Sequence, residues 1–370
     1  MAFKSIIKNE CILIAGGGTG GHLFPAMAIG EKLSLMGAKV LYFGSKFGIE
    51  PDIFKNNNLD YKLLNIRGIQ RGLDFKSIGK NILFPYRFIL SFIIALITIK
   101  KRKPRVVVGT GGYSSGIPLL CASILNIPTL IHEQNSYPGI TTRYFSKKAT
   151  KVCIAYENSK KFIQSNNFIL TGNPIRDSIK KINSSIAKKK MNLDSNKFTI
   201  FFMGGSQGSK PINDYLIKNY SKYLDADCQI LWQCGKHSID ELKVKISHPN
   251  IYLTAFIDDM GMAYSSANLV ICRAGAISIS ELTACGKAMV LIPFPQSAGN
   301  HQLHNAQALE QENSAKVVLQ ENLHTGELEN IIFELKNNPS QIIDLEKNAL
   351  RIAKLNATDD IVTQILEIAA

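Results

Sequence analysis

Several short stretches of this chain hold residue types that could do chemistry. The run Gly16-Gly17-Gly18-Thr19-Gly20-Gly21-His22 ends on a histidine, the side chain whose ordinary pKa suits proton transfer near neutral pH. Its glycines admit positive φ and close approach of a ligand to the main chain. A helix starting after them offers unpaired N–H groups and a positive dipole end to an anion. Thr110-Gly111-Gly112-Tyr113-Ser114-Ser115-Gly116 is a second lip of the same kind. His132-Glu133-Gln134-Asn135 sets four hydrogen-bonding side chains in a row at the end of an apolar run. When buried, such groups need a ligand, water or protein partner. Arg176, in Gly172-Asn173-Pro174-Ile175-Arg176, carries a fork that can bond two diphosphate oxygens at once.

The second half of the chain repeats the theme. Gly204-Gly205-Ser206-Gln207-Gly208-Ser209 is another glycine-rich turn. In Arg273-Ala274-Gly275-Ala276-Ile277-Ser278-Ile279-Ser280-Glu281, small residues leave a helix start open to a phosphate, and a carboxylate about one turn later can accept from both hydroxyls of a ribose. Pro293-Phe294-Pro295-Gln296 and Asn300-His301-Gln302 form a polar loop suited to sugar hydroxyls. Each stretch also has a plain reading: a tight turn without a ligand, glycine for packing, a solvated arginine.

The first loop fits the dinucleotide pattern Gly-x-Gly-x-x-Gly, which requires an acidic residue about 20 positions on to hold a ribose. Here the second strand runs into Gly44-Ser45-Lys46 with no carboxylate. That disfavours NAD and leaves an NADP site using Lys46 open. Asp225-Ala226-Asp227 spells an acidic pair of the kind that holds a metal, but it precedes its strand and so lies at the amino end. The His, Asp and Glu residues show no metal-ligand spacing.

The elements that must position these residues follow from the pattern of apolar runs. Strands are expected at 11–15, 39–43, 61–65, 105–109, 129–132, 151–154 and 168–170, with helical segments between most of them. After the polar Lys188-Lys189-Lys190 stretch, read as a surface connection, strands follow at 198–203, 229–233, 251–255, 269–272, 288–292 and 315–319. This alternation predicts an α/β fold of two doubly wound parallel sheets in tandem. Ligands of such sheets sit beyond the carboxyl ends of the strands, and two sheets facing one another share a cleft. Asn173-Pro174 breaks regular structure and marks the linker. The domains expected are 1–172 and 173–350, with a C-terminal helix at 351–370 that could pack back on the first domain.

At 370 residues, 45% apolar and with mean hydropathy near zero, the chain reads as an ordinary two-domain globular protein. Its seven cysteines form no Cys-x-x-Cys pair, which suits reduced buried thiols in the cytosol. The N-terminus lacks the features of a signal peptide. Residues 1–172 carry 23 Lys and Arg against 8 Asp and Glu, a net +15, whereas residues 173–370 carry 20 against 21, a net −1. One half is therefore suited to an anionic surface, nucleic acid or membrane. The apolar run 88–99, followed by Lys100-Lys101-Arg102-Lys103-Pro104-Arg105, falls short of the roughly 20 residues of a spanning helix. It reads as a core helix, a helix dipping into a bilayer with the basic cluster on headgroups, or both on different faces.

Taken in order, Gly17-Gly18-Thr19-Gly20-Gly21-His22, His132-Glu133-Gln134-Asn135, Gly172-Asn173-Pro174-Ile175-Arg176, Gly204-Gly205-Ser206-Gln207-Gly208, Phe256-Ile257-Asp258-Asp259-Met260 and Arg273-x-Gly275-Ala276-x-x-x-Ser280-Glu281 resemble the ordered motifs of the MurG family. These bacterial transferases add N-acetylglucosamine to lipid I to make lipid II. The resemblance covers nearly the whole chain. It implies a GT-B architecture, with UDP-N-acetylglucosamine held mainly by the C-terminal domain and no cofactor. Carried onto this chain, it assigns Ile257 to uracil and Glu281 to ribose. Ser206, Ala276, Ile277 and Ser278, with Ile279, Ser280 and Arg176 nearby, are assigned to the donor diphosphate. Asn135 and Gln302 are assigned to the sugar, with His301 where some relatives have a second glutamine. Thr19, Gly20 and Gly21 also border the donor, while Gly18, Thr19, Gly20, His22, Gly111, Gly112 and Tyr113 face the acceptor's diphosphate.

The implied reaction is an inverting transfer in which the muramyl C4 hydroxyl attacks the anomeric carbon as UDP leaves. It needs a base and groups that stabilise the departing diphosphate. His22 and Glu133 are both candidates for the base. The implied partners are undecaprenyl-linked lipid I, the anionic inner leaflet at the cytoplasmic face of the plasma membrane, and a cell-wall synthesis complex, with no nucleic acid. Two readings from other classes stand beside this one. An NADP oxidoreductase would have one dinucleotide site and no second nucleotide domain. A membrane or nucleic-acid adaptor would use the basic half alone.

Overall fold

Strands covered by helices on both sides read as unbroken apolar runs rather than alternating ones, and two parallel sheets are built from such runs here. A computed structural model describes residues 7–68, 83–176, 178–179 and 182–370. Residues 1–6, over which the signal-peptide reading partly runs, lie outside the described residues. The chain forms two units, Met1–Arg176 with Asn356–Ala370, and Asp177–Leu355.

The first unit runs β1 (Cys11–Ala15), α1 (Gly20–Leu35), β2 (Lys39–Ser45), α2 (Glu50–Asn56), β3 (Tyr61–Leu64), α3 (Phe84–Arg102), β4 (Val106–Gly109), α4 (Tyr113–Ile124), β5 (Thr129–Glu133), α5 (Ile140–Phe145), β6 (Lys151–Ile154) and β7 (Phe168–Leu170). Its strands lie in the order β3-β2-β1-β4-β5-β6-β7, every pair parallel. Along β1 the pleat sends Ile12 and Ile14 to one core and Leu13 and Ala15 to the other.

The second unit runs α6 (Ser184–Lys190), β8 (Phe198–Met203), α7 (Lys210–Asp225), β9 (Cys228–Gln233), α8 (Ile239–Lys245), β10 (Ile251–Thr254), α9 (Met260–Ser266), β11 (Leu269–Cys272), α10 (Ala276–Ala284), β12 (Met289–Leu291), α11 (His301–Gln311), β13 (Lys316–Val317), α12 (Glu327–Asn337) and α13 (Pro339–Ile352). Its order, β10-β9-β8-β11-β12-β13, is that of the first sheet less one edge strand, again all parallel. Ile200, Phe202 and Trp232 pack on one face, Phe201, Met203 and Leu231 on the other.

Both sheets are therefore doubly wound, as the alternation of apolar runs and helical segments predicts, and each is Rossmann-like, the architecture of GT-B proteins. The strand order reverses between β1 and β4 in the first unit and between β8 and β11 in the second. At such a switch point the following helices go to opposite faces and leave a crevice beyond the carboxyl ends. The loops at the two switch points are 16–19 with 110–112, and 204–209 with 273–275. The glycine-rich motifs thus fall where the topology opens the sheet.

Two expectations change. Lys188-Lys189-Lys190 is not a surface connection but the last turn of α6, capped at its start by Asn183 Oδ1. Lys188 is buried, and its ammonium donates to Lys197 O at 2.8 Å and Asn268 Oδ1 at 3.1 Å. The first unit extends to Arg176 rather than 172, so Asn173-Pro174 lies inside it, and the chain returns to it at Asn356 rather than 351. The apolar run 88–99 is the middle of α3. Ser91, Ala95 and Ile99 are buried, and Phe84, Phe88 and Phe92 pack partly on the core. Tyr86, Ile89, Leu90, Ile93 and Ile97 form an exposed stripe at helical spacing, Ile97 being 61% exposed. No helix among the described residues is long and apolar enough to cross a membrane.

The last helix, α14 (Ala357–Ala369), closes the first unit. Ile361, Val362, Ile365, Leu366 and Ala369 enter the core beside Leu23, Ala26 and Ile29 of α1. Lys32 pairs with Asp359 at 2.6 Å and Lys151 pairs with Glu367 at the rim. Truncating a fully buried isoleucine costs about 2–5 kcal/mol. Ile365→Ala should therefore lower the urea midpoint of the first unit followed by far-UV circular dichroism. The lone tryptophan, Trp232 in the second unit, should keep its fluorescence midpoint, and a shift of the Trp232 transition alone would contradict this packing.

Candidate functional site

In the first unit the site is built around the imidazole of His22, on the first turn of α1. No side chain caps Thr19 at the start of this helix, and the first-turn N–H groups of Gly20 and Gly21 have no intrahelical acceptor. The ring lies against Gly111 and Gly112, both at positive φ. A Cβ at Gly111 would come within 2.7 Å of His22 Nδ1, and one at Gly112 within 2.2 Å of Gly17 O. Glycine is required at both places for backbone conformation and for room. Tyr113 follows, its ring beside Gly18. Gly18, Gly111, Gly112, Tyr113 and His22 are thus brought together at the β1/β4 switch point.

His22 Nδ1 lies 3.0 Å from Gln134 Oε1 and 3.1 Å from Thr110 O. The amide nitrogen of Gln134, itself buried, donates to Thr110 O at 2.8 Å and lies 2.9 Å from His132 Nδ1. His132 is fully buried and places Nε2 3.0 Å from Gly172 O. Asn173 Nδ2 donates to Gln134 O at 3.2 Å. The polar tetrad is therefore paired within the protein and stitches the loops after β4, β5 and β7 together. Burial lowers the pKa of His132 from 6.5 to about 4, so it stays neutral.

Glu133 is 2% exposed and bonded through both oxygens. Oε1 accepts from Asn135 N at 3.1 Å and Asn135 Nδ2 at 3.2 Å, and Oε2 accepts from Gly139 N at 3.0 Å. It braces the turn after β5. Gly18 also differs from a simple phosphate ligand, because its N–H donates to Glu50 Oε1 at 2.6 Å. Arg176 belongs to the first unit, its guanidinium 4.8 Å from the centroid of Phe24 on α1. Glu50 and Gln134 carry no spacing signal, because their partners come from other strands of the sheet.

In the second unit Arg273 is the buried centre of the β8/β11 switch point. Its guanidinium donates to Ile292 O at 3.3 Å, Pro293 O at 3.2 Å, Ser209 Oγ at 2.8 Å and Gln320 Oε1 at 2.6 Å. Burial lowers its pKa to about 10, which leaves it charged at neutral pH. Gln233, at the end of β9, donates to Gly205 O at 3.1 Å and accepts from Ile257 N at 2.9 Å. The N–H of Ile257 is thus already taken, and Gln233 sets where the residue stands. Ser206 is half-buried on the neighbouring loop.

No side chain caps α10 at Gly275. Ile279 packs in the core, so only its main chain can face the crevice, and the Ser280 hydroxyl donates back to Ala276 O at 2.9 Å. Ser278 is half-buried. Glu281 is 5% exposed, and its Oε2 accepts from the buried phenol of Tyr264 at 2.9 Å. Burial and the Glu281 charge hold the Tyr264 pKa well above its ordinary value, so the phenol keeps the proton it donates. Gln302 Oε1 accepts from Phe294 N at 2.9 Å, ordering the polar loop after β12. Asp225 closes α7 and Asp227 pairs with Lys197 at the amino end of β9. No group of metal-ligating side chains occurs among the described residues.

The model of the glycosyltransferase family 28 N-terminal domain matches residues 12–154, and that of the family 28 C-terminal domain matches residues 199–365. The chain is 39% identical over 360 residues to the UDP-N-acetylglucosamine–N-acetylmuramyl-(pentapeptide) pyrophosphoryl-undecaprenol N-acetylglucosamine transferase of Flavobacterium psychrophilum, covering 96% of this chain and 97% of that one. It is 36% identical over 358 residues to the protein of the same name from Christiangramia forsetii, covering 96% of each. Among solved structures it is similar to that of Acinetobacter baumannii MurG, with a TM-score of 0.72 and 28% identity over 97% of this chain and 99% of that one.

The buried neutral His132 makes the first unit sensitive to acid. Above pH 6.5 both folded and unfolded chains hold it neutral, and its contribution to stability is complete. As pH falls from 6.5 through 4, the unfolded chain binds a proton that the folded one refuses, at a cost of up to about 3 kcal/mol. In His132→Gln the slope of unfolding free energy against pH should flatten by about one proton across that window. An unchanged slope would mean that His132 charges freely in the folded state.

Proposed function

The chain belongs to glycosyltransferase family 28, and we propose that it moves N-acetylglucosamine from UDP-N-acetylglucosamine to the muramyl C4 hydroxyl of undecaprenyl-linked lipid I, with inversion, giving lipid II for peptidoglycan. The observation that carries this is that each unit has a switch point, one beside His22 and one beside the helix that bears Glu281, in a chain related over nearly its whole length to transferases so named. The second unit takes the donor. Ile257, set by Gln233, meets uracil, and Glu281, set by Tyr264, holds the ribose. Main-chain N–H groups of residues 276–278 and the Ser206 loop meet the diphosphate, with the main chain of Ile279 and Ser280 adjoining. Gln302 and Asn135 serve the sugar.

The first unit takes the acceptor. The uncapped start of α1, with Thr19, Gly20 and Gly21, and the Gly111-Gly112-Tyr113 lip cradle its diphosphate. His22 is the general base. Glu133 gives up that role, because both of its oxygens already hold the turn after β5. The base takes the hydroxyl proton as oxygen attacks the anomeric carbon and the bond to UDP breaks. Charge developing on the departing diphosphate is stabilised by Arg176 and by N–H groups fixed before the reaction. Such preorganised donors act without reorganising in the transition state.

The acceptor's lipid tail places the enzyme at the cytoplasmic face of the plasma membrane. The exposed stripe of α3 enters the interface, and the basic cluster after it lies on anionic headgroups. A membrane adaptor without catalysis would keep this surface and lack UDP release. The double variant Ile93→Ser with Ile97→Ser should sediment at least about tenfold less well with anionic vesicles, since each buried CH₂ contributes roughly 0.8 kcal/mol. Undiminished sedimentation would remove α3 from the interface.

The direct test of activity offers UDP-N-acetylglucosamine with a lipid I analogue and measures UDP release. Glu281→Gln should lose about 100-fold in kcat/KM, in line with charge-assisted hydrogen bonds to a ligand. Tyr264→Phe should raise KM for the donor while leaving kcat in place. Wild-type rates in Glu281→Gln would mean that the donor ribose lies elsewhere.

A further inference from the structure

Which nitrogen of His22 carries the proton follows from what surrounds Nδ1. Thr110 O, at 3.1 Å, is a carbonyl and can only accept. Gln134 Oε1, at 3.0 Å, is the other neighbour, and which end of that amide faces His22 is fixed by its remaining contacts. Gln134 Nε2 lies 2.8 Å from Thr110 O and 3.1 Å from His132 O, both carbonyls, and 2.9 Å from His132 Nδ1. His132 Nε2 faces Gly172 O at 3.0 Å, which also only accepts, so the proton of this neutral ring is on Nε2 and its Nδ1 holds a lone pair. The amide nitrogen thus faces acceptors alone, and the amide oxygen must point at His22. Both neighbours of His22 Nδ1 accept.

We propose that Gln134, oriented by Thr110, His132 and Gly172, is a positioning residue that locks His22 in the Nδ1–H tautomer and leaves a lone pair on Nε2. This rests on His22 being the base of the proposed transfer. Unconstrained imidazole favours the opposite tautomer, with its proton on Nε2, which cannot accept one there. With the lock in place, Nε2 takes the proton of the attacking hydroxyl while its oxygen bonds to the anomeric carbon. The sugar–phosphate C–O bond breaks and UDP leaves with that electron pair. The imidazolium so formed carries its Nδ1–H against two oxygens that can hold the new charge. The Gly111-Gly112 notch gives the ring room to lie there, since a Cβ at Gly111 would come within 2.7 Å of its Nδ1 and one at Gly112 within 3.2 Å of its Cδ2.

The test has a spectroscopic arm and a kinetic arm. In the ¹⁵N spectrum of imidazole-labelled protein, with His22 assigned by its loss in His22→Asn, the His22 ring should show a protonated Nδ1 and a bare Nε2 in the absence of substrate. An Nε2–H ring overturns the proposal without recourse to any variant. Gln134→Met, of similar volume, should lose about tenfold in kcat with KM for both substrates within twofold, and its His22 resonances should move toward a mixture of tautomers. His22→Ala should lose about 100-fold or more. Full activity in His22→Ala would sink the assignment of the base itself. A disabled His22→Ala beside a Gln134→Met protein with wild-type kcat and an unmoved His22 spectrum would sink the positioning role alone.

Discussion

A parallel sheet covered on both faces can present main-chain groups to a ligand only beyond its strand ends, and most readily where the strand order reverses. That constraint organises both units. At β1/β4 the strands end on Ala15 and Gly109, and at β8/β11 on Met203 and Cys272, each before a turn that contains glycine. The helices that follow begin without side-chain caps at Thr19 and Gly275. A capped helix would have had its first N–H groups satisfied internally. At α1 the N–H groups of Gly20 and Gly21 are left without an intrahelical acceptor, which weakens that helix start slightly and suits it to an anion.

Helix starts without side-chain caps need loops that do not collapse into the crevice, and each unit holds its loops with a buried polar side chain. Gln134 ties the turns after β4 and β5 to the segment after β7 through Thr110, His132 and Asn173. Arg273 ties the turns after β8, β12 and β13 through Ser209, Ile292, Pro293 and Gln320. A buried amide or guanidinium is tolerated only when its bonds are made, so each brace is all or nothing. The two braces differ in what they offer the chemistry. Arg273 holds the frame of the second unit, whereas Gln134 touches His22 and so couples the frame of the first to a proton.

The strands were legible because a buried parallel strand is a local pattern, and Cys11–Ala15 or Phe198–Met203 reads as one without its neighbours. The glycine turns were legible for the same reason, since a strand, a turn and a helix are contiguous in the chain. What the tetrad 132–135 does was not legible. Glu133 looks like a base until Gly139 and Asn135 are seen to occupy its oxygens, and Gln134 looks like a spare polar residue until the fold places Thr110, His22 and Asn173 around it. Tyr264 has no polar signature in an apolar helix, and its bond to Glu281 depends on how α9 meets α10. Lys188 reads as solvated in a run of lysines, yet carbonyls of a neighbouring turn accept from it. Sequence carries what is contiguous, and partners set by register or helix docking come only with the fold.

In the proposed reading, the uneven charge follows from how each unit handles anions. A nucleoside diphosphate can be held by main-chain N–H groups and a helix dipole, which add no net charge, so a second half at −1 is adequate for the donor in the proposed reading. Phosphate recognition therefore does not account for the +15 of residues 1–172. That excess is spread over a surface that includes the basic end of α3, beside an apolar stripe too short to span a bilayer. A broad positive field acts at about a Debye length, roughly 8–10 Å, which is useful against a sheet of headgroups and wasted on one diphosphate. On that reading the stripe then supplies what the field lacks, a contact that survives salt. In the proposed reading, charge and apolar area belong together on the unit that meets a lipid-linked substrate, and neither is needed on the unit whose substrate diffuses in water.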